Sequence, residues 1–226
     1  MFYYDSSFLL LIPALIIAAY AQFKVKSTFH KYNKVPSQKG YTGRDVARSI
    51  LDRSGLSDVQ VMAVSGELSD HYDPMQRVVR LSESVYNKSS IAAVSVAAHE
   101  VGHALQHQEG YAPLTFRTFL APVAGIASQS VWVLILLGII FSIPSLINIG
   151  IVVFSVTVLF QIVTLPVEFN ASSRAIVQLE NEFLTQEETG SAKKVLRAAA
   201  LTYVAATLVA IAQLLRLILL SGNRRD

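Results

Sequence analysis

The sequence contains no cysteine in its 226 residues. This absence excludes a disulfide scaffold, a thiolate zinc finger, an iron–sulfur centre held by the chain's own thiolates and a cysteine nucleophile. Charged residues are also scarce, at 15%, whereas hydrophobic residues make up 52%. That balance excludes a disordered chain and is atypical of a water-soluble domain. Any metal site must therefore use nitrogen and oxygen ligands.

The formal net charge is only +3 at pH 7, and the lysines and arginines are spread along the chain. Domains that bind nucleic acid instead gather basic residues on one face or stripe. We therefore expect no nucleic-acid partner. The positions of the charges are more informative than their sum, because three long segments of the chain contain none.

These uncharged segments predict four transmembrane helices, because an ionised side chain is costly in hydrocarbon. Uncharged stretches of 18, 50 and 18 residues cover positions 6–23, 118–167 and 198–215. The longest stretch holds two spans of about 20 residues each, joined by a turn near Pro144. The lipid bilayer is therefore a predicted partner of the chain.

The flanking charges predict the orientation of the spans. Five lysines follow the first span and no basic residue precedes it, which favours a retained anchor over the alternative of a cleaved signal peptide. Positions 24–117 carry 12 of the 19 basic residues, and positions 174–197 carry four more. Both segments are predicted to face the cytoplasm, in the bacterial inner membrane. Arg224 and Arg225 disagree with this orientation, since four spans would place them outside.

The segment between the first two spans reads as a small α+β part. Thr42 and Asp45 are spaced as a capping box, and the helix that they open should end at Gly55. Alternating apolar residues at 59–63 and 77–81 predict a hairpin or small sheet. A second helix should run from Ser89 or Ser90 to about Gln108, with Gly110 after it as a stop.

That second helix contains the sequence His99-Glu100-Val101-Gly102-His103. Two histidines four positions apart share one helix face, so both imidazoles can bind one zinc ion. Glu100 lies beside the first histidine, where its carboxylate can reach a zinc-bound water as a general base. The alternative is an ordinary polar helix face with surface histidines.

A catalytic zinc site normally has three protein ligands, and the chain offers several candidates for the third. His107 follows His103 by four more residues, where an imidazole rotates away from the same ion. Glu109 stands where another class of zinc protease has its third ligand, but Gln106 replaces the glycine that this class needs. Glu168 is favoured, because two spans after the motif return the chain to the same side of the membrane. The alternative is a solvated helix-start carboxylate.

The motif, the two following spans and the sequence Glu168-Phe169-Asn170-Ala171-Ser172 together resemble membrane zinc metalloproteases of the gluzincin-like HtpX type. The chain resembles the YugP-like neutral zinc metallopeptidases more closely, and the stretches at 70–74 and 77–82 also match their pattern. The resemblance implies a zinc endopeptidase with His99, His103 and Glu168 as ligands and Glu100 as base. The chain departs from the HtpX pattern at one position: Ser172 stands where that pattern has an aspartate, which would orient a ligand histidine.

The same resemblance gives weight to His71 and Tyr72 as further catalytic donors over the cleft. Their neighbours Asp73 and Pro74 form a turn signal, however, so packing is the alternative role. We expect protein or peptide substrates, membrane-associated or misfolded, to add as an extended strand to an exposed sheet edge at 77–81.

The resulting prediction is a mainly α membrane protein with four transmembrane helices and a small zincin-like α+β part. The predicted organisation is an N-terminal anchor at 1–24, a cytoplasmic part at 25–116, a transmembrane hairpin at 117–167, a cytoplasmic segment at 168–197, and a C-terminal helix and tail at 198–226. Two alternatives remain: an intramembrane zinc protease whose motif helix lies in the bilayer, and a non-catalytic membrane scaffold or binding protein.

Overall fold

A computed structural model describes residues 6–222. The two arginines that disagree with the predicted orientation, Arg224 and Arg225, lie outside these residues. The described chain is mainly helical, with one small sheet. Its elements are a short 3-10 turn Ser6–Leu10, α1 Leu11–Tyr32, α2 Gly43–Arg53, β1 Gln60–Val64, β2 His71–Asp73, β3 Val78–Ser82, α3 Glu83–Tyr86, α4 Ile91–Gln108, α5 Ala112–Ile140, α6 Pro144–Gln178, a π-helical turn Leu179–Phe183 and α7 Gln186–Gly222.

Among the described residues, four helices are long and apolar enough to cross a membrane. This confirms the prediction of a mainly α membrane protein with four apolar helices and a small α+β part. The four segments are Ser7–Tyr32, Ala112–Ile140, Pro144–Phe183 and Gln186–Gly222. Helix α4, which carries the histidine motif, is not one of the four.

The described chain divides into two compact units. The membrane unit comprises residues 6–22, 115–165 and 202–222. Its own core is small and is built from Val131, Ile135, Phe154, Val158, Ala210 and Leu217. Many large apolar side chains on its surface are exposed, including Phe119 and Ile126, each 70% exposed. Such a surface requires lipid around it rather than water.

The second unit, called the site unit here, comprises Phe23–Leu114 and Pro166–Leu201. Its core joins α2 and α4 to the sheet. Thr42 and Asp45 form the predicted capping box at the start of α2, with the Asp45 backbone N–H donating to Thr42 Oγ1 at 3.2 Å. Helix α2 buries Val46, Ala47, Ile50 and Leu51 completely, as an amphipathic helix should.

The three strands form a sheet in the order β1-β3-β2. Strand β1 pairs with β3 in parallel, and β2 pairs with β3 antiparallel, His71 opposite Arg80. The predicted small sheet is present, but β1 and β3 do not form a hairpin. The predicted substrate edge at 77–81 is wrong, because β3 is the central strand. Four of its five residues are buried, whereas β1 is largely exposed, which is the burial of a central strand and an edge strand respectively.

Candidate metal centre

His99 and His103 lie on α4, and Glu168 lies on α6. Helix α4 begins where the sequence predicted, because Ser90 Oγ accepts the Ala93 backbone N–H at 3.1 Å and caps the first turn. It ends before Gly110, whose φ of 63° suits a glycine after a helix. The motif is therefore on a regular helix, and its two imidazoles project from the same face.

The side chains of His99, His103 and Glu168 converge on one point, and we call these three the ligand cluster. Glu168 Oε2 lies 3.2 Å from His99 Nε2 and 3.6 Å from His103 Nε2. All three are buried, and Glu168 is only 1% exposed. Of the acidic and histidine side chains in residues 6–222, these three form the one group whose ligand atoms all lie within 4.8 Å of one another.

This donor set fits a zinc ion. Two ligands at about 2.0–2.1 Å from a tetrahedral zinc lie roughly 3.3 Å from each other, close to the 3.2 and 3.6 Å measured between the carboxylate and the two imidazoles. Two nitrogens and one carboxylate leave the fourth tetrahedral position open, as catalytic sites do and closed structural sites do not. Nitrogen and oxygen ligands also agree with a chain that lacks cysteine.

The second nitrogen of each imidazole also has a partner. His99 Nδ1 lies 3.2 Å from Ser172 Oγ, and His103 Nδ1 lies 3.0 Å from Gln106 Oε1. Ser172 stands where the HtpX pattern has an aspartate that would orient one of the histidines, and here it contacts His99. Partners of this kind hold a ligand histidine in one ring orientation.

Glu100 follows the first histidine and is buried, 8% exposed. Burial raises the pKa of its carboxyl group to about 7, and the negative charges of Glu168 and Asp70 act in the same direction. The electrostatic interaction with His99 and a smaller contribution from the Tyr72 backbone oppose this rise in the pKa. A carboxyl group with a pKa near neutrality can accept and return a proton at physiological pH.

His71 and Tyr72 both lie on β2, but they differ in their relation to the site. The Tyr72 backbone is among the groups that lower the pKa of Glu100, and the Tyr72 hydroxyl oxygen lies 2.9 Å from His107 Nδ1. His71 is exposed, and its Nδ1 lies 2.8 Å from the Ser69 carbonyl oxygen. The structure thus pairs the tyrosine hydroxyl with His107 rather than with His99, His103 or Glu168.

Neither of the other two candidates for the third ligand, His107 and Glu109, is in the cluster. The two carboxylate oxygens of Glu109 accept from Arg174 Nη1 and Nη2 at 2.6 and 2.7 Å. This guanidinium holds the pKa of the Glu109 carboxyl group below its usual range. Glu109 therefore serves as the partner of Arg174, which lies on the same helix as Glu168.

Helices α4 and α6 approach each other closely at the site because Gly102 has no side chain. A Cβ atom at this position would lie 2.7 Å from the Ala171 backbone carbonyl oxygen. That separation is shorter than real contacts allow, and the obstacle is backbone. The glycine inside the motif therefore sets the distance at which the carboxylate of α6 can reach the histidines of α4.

Sequence reasoning did not assign a role to Gln106 or Asn170. Gln106 is completely buried and donates through Nε2 to the Val167 carbonyl oxygen at 2.8 Å and to Asn170 Oδ1 at 2.9 Å. The available signal was its position three residues after His103, on the same face of the helix. No local signal linked Asn170 to Gln106, because that partner lies on another helix.

Comparisons with known proteins agree with this geometry. Residues 7–222 match the model of a family described as "Putative neutral zinc metallopeptidase". The chain is also 54% identical over 218 residues to the "Putative membrane protease YugP" of Bacillus subtilis strain 168, covering 96% of this chain and 97% of that protein. No solved structure matches the chain.

Proposed function

The chain belongs to the neutral zinc metallopeptidase family, and from this premise we propose that it is a zinc-dependent endopeptidase of the cytoplasmic membrane face. His99, His103 and Glu168 would hold the zinc ion, and Glu100 would act as the general base. The observation that carries the proposal is the convergence of one buried carboxylate and two imidazole nitrogens at 3.2 and 3.6 Å.

The chemistry of peptide hydrolysis assigns a role to each of these groups. When bound, zinc supplies a Lewis acid that activates water and offsets negative charge on the carbonyl oxygen. Glu100 accepts a proton from the attacking water and returns it to the leaving amine. Its burial and its raised pKa support both transfers. Ser172 and Gln106 keep the ligand imidazoles in place.

We propose that the substrate adds to the sheet at β2, rather than at the central strand β3. Strand β2 is an outer strand of the sheet, and the backbone of its residue Tyr72 is among the groups that affect the pKa of Glu100. A peptide that pairs with β2 would therefore lie beside the general base. Backbone pairing is largely indifferent to sequence, which suits membrane-associated or misfolded proteins as substrates.

The alternatives have weaker support. An intramembrane protease would carry its motif on a spanning helix, whereas α4 is not among the four apolar helices of the described chain. A scaffold without metal would leave a buried carboxylate facing two imidazoles, and burying that charge is costly without a cation or a proton.

Metal analysis of the protein purified in detergent tests the ligand set. We expect about one zinc ion per wild-type chain, and a loss of at least tenfold in zinc affinity for Glu168→Gln, which removes a ligand charge without changing volume. Glu67→Gln is the matched control, because Glu67 is an exposed loop residue. Equal zinc affinity in wild type and Glu168→Gln would show that Glu168 is not a ligand.

Cleavage of an unfolded protein such as casein tests the general base. Glu100→Gln should retain zinc and lose at least a hundredfold in kcat, because general-base catalysis contributes about 10²–10⁴-fold. Intact cleavage by Glu100→Gln would remove the proposed role. A wild-type protein that binds zinc and cleaves nothing would favour a binding protein instead.

A further inference from the structure

A chain of side-chain hydrogen bonds leads from the buried His103 to the exposed Glu109, and we call it the Gln106 chain. It runs from His103 Nδ1 to Gln106, then to Asn170, Arg174 and Glu109. Every member lies in the site unit. Some members of the chain can only donate a hydrogen bond and others can only accept one. These members determine which partner is the donor in each bond.

Arg174 determines the direction at one end. A guanidinium has only donors, and Arg174 Nε lies 2.7 Å from Asn170 Oδ1. The atom of Asn170 that faces both Arg174 and Gln106 must therefore be the oxygen. It accepts from Arg174, so the Gln106 atom 2.9 Å away must be the amide nitrogen. The Val167 carbonyl oxygen, which can only accept, lies 2.8 Å from the same nitrogen and requires the same assignment.

The orientation of the Gln106 amide determines the protonation of His103. With its nitrogen facing Val167 and Asn170, Gln106 presents its oxygen to His103 Nδ1 at 3.0 Å. That oxygen can only accept, so Nδ1 must carry the proton. In a neutral imidazole the other nitrogen, Nε2, then has a free lone pair. This is the nitrogen that faces Glu168 Oε2 at 3.6 Å.

We propose that Gln106 is a positioning residue that fixes the tautomer of His103, with Nδ1 protonated and the Nε2 lone pair aimed into the ligand cluster. Asn170 and Arg174 hold the Gln106 amide in the required orientation. Because Val167 precedes Glu168, the same amide also ties the second histidine to the helix of the carboxylate. The inference rests on the proposed function in that the Nε2 lone pair is the one offered to zinc.

The contact between Ser172 and His99 does not fix the tautomer of His99. Ser172 carries a hydroxyl group, which can donate or accept, so it orients the His99 ring without determining which nitrogen is protonated. The two ligand histidines are thus held differently. The amide fixes both the ring and the proton of His103, whereas the hydroxyl fixes only the ring of His99.

The tautomer can be measured directly in wild-type protein stripped of zinc by a chelator. Nitrogen-15 spectra of labelled histidines, recorded at alkaline pH and assigned with His103→Gln, distinguish a protonated Nδ1 from a protonated Nε2. We expect the Nδ1-protonated form for His103. A protonated Nε2 in this spectrum would overturn the proposal, and this measurement needs no folded variant.

If Gln106 keeps the His103 Nε2 lone pair available, then losing Gln106 should weaken zinc binding. Zinc affinity, measured by competition with a chelator, tests this consequence. Gln106→Met keeps the length of the side chain but removes the acceptor, and it should weaken zinc binding about 10- to 100-fold. Gln108→Met, a change of an exposed glutamine on the same helix, is the control and should bind zinc as the wild type does.

The outcomes separate this inference from the proposed function. If Gln106→Met bound zinc as tightly as the wild type, the positioning role would be wrong while the metal site stood. If wild-type protein bound no zinc but its His103 carried the proton on Nδ1, the proposed function would fail and the tautomer assignment would stand.

Discussion

The charge of one carboxyl group in the site unit, the half-buried Asp70, influences the proton affinity of another, the buried Glu100. Burial raises the pKa of Asp70, although Ser82 donates to its carboxylate from the backbone N–H at 2.7 Å and from Oγ at 3.1 Å. The negative charge of Asp70 in turn helps to raise the pKa of Glu100. Asp70 therefore adjusts the proton affinity of the proposed general base without touching the ligand cluster.

Asp70→Asn should consequently change the pH dependence of cleavage. Glu100 accepts a proton only when ionised, so activity should rise with pH through the pKa of Glu100. Removing the negative charge at position 70 lowers that pKa, and the acidic limb of kcat/KM should move to lower pH. An amide oxygen still accepts from the Ser82 N–H. The measurement is kcat/KM from about pH 5 to about pH 9.

Asp58→Asn provides the control for this pH profile, because Asp58 is an exposed residue paired with Arg77 at 2.7 Å and is not among the groups that shift the pKa of Glu100. Its profile should match that of the wild type. An acidic limb that stayed in place or moved to higher pH in Asp70→Asn would contradict the assignment of Glu100 as the base.

Two adjacent serines allow the contact to His99 to be tested. Ser172 Oγ lies 3.2 Å from His99 Nδ1, whereas Ser173 Oγ donates to the Phe169 carbonyl oxygen of its own helix. Ser172→Ala should weaken zinc binding by up to about tenfold, the lower end of the effect of such partners. Ser173→Ala should leave it unchanged. Equal zinc affinities for the two variants would show that the Ser172 contact does not support the ligand.

Among the helices and strands, the crossing of α4 and α6 depends most on one residue. Gly102→Ala places a methyl group against the Ala171 backbone carbonyl oxygen, 2.7 Å from where the new Cβ would stand. Overpacking of this kind costs about 1–3 kcal/mol, and it moves Glu168 away from the histidines. We expect a lower unfolding temperature and weaker zinc binding, measured by thermal unfolding in detergent and by chelator competition.

Gly190→Ala is the matched control for this crossing, since Gly190 also lies within a helix but has nothing within 4 Å of an added Cβ. Alanine is favoured over glycine inside a helix by about 0.5–1 kcal/mol. This variant should therefore be at least as stable as the wild type. Gly102→Ala with unchanged stability and zinc affinity would mean that the crossing is not tightly packed there.

The sequence predicted the elements whose signals are local. The capping box at Thr42 and the start of α4 at Ser90 each depend on residues within one helical turn. The pairing of Glu168 with the histidines was expected from topology alone, since two spans return a chain to the same side. The structure does bring these three side chains together.

Features that depend on distant residues were predicted less well. A run of apolar residues at β3 fits a central or an edge strand equally, and the order β1-β3-β2 is decided by contacts that no local pattern encodes. The link from Gln106 to Asn170 joins residues 64 positions apart. Side-chain partners across two helices follow from how the helices pack, which hydrophobic periodicity does not specify.

For the whole molecule, the orientation in the membrane remains a prediction, and the absence of cysteine makes it easy to test. A single cysteine introduced by Ser65→Cys, in an exposed loop of the site unit, should react with a membrane-impermeant maleimide only after the cells are permeabilised. Ser145→Cys, at the exposed start of α6 in the membrane unit, should react in intact cells. The opposite pattern would place the proposed active site outside the cell.

The site unit is discontinuous in sequence, since residues 115–165 of the membrane unit separate its two segments. During synthesis, the nascent chain exposes both histidines before the ribosome has made the carboxylate that completes the trio. All of residues 115–165 are made between the second histidine and that carboxylate. A half-made chain therefore lacks the full set of proposed ligands, and the proposed proteolytic activity would have to await synthesis of the intervening hairpin.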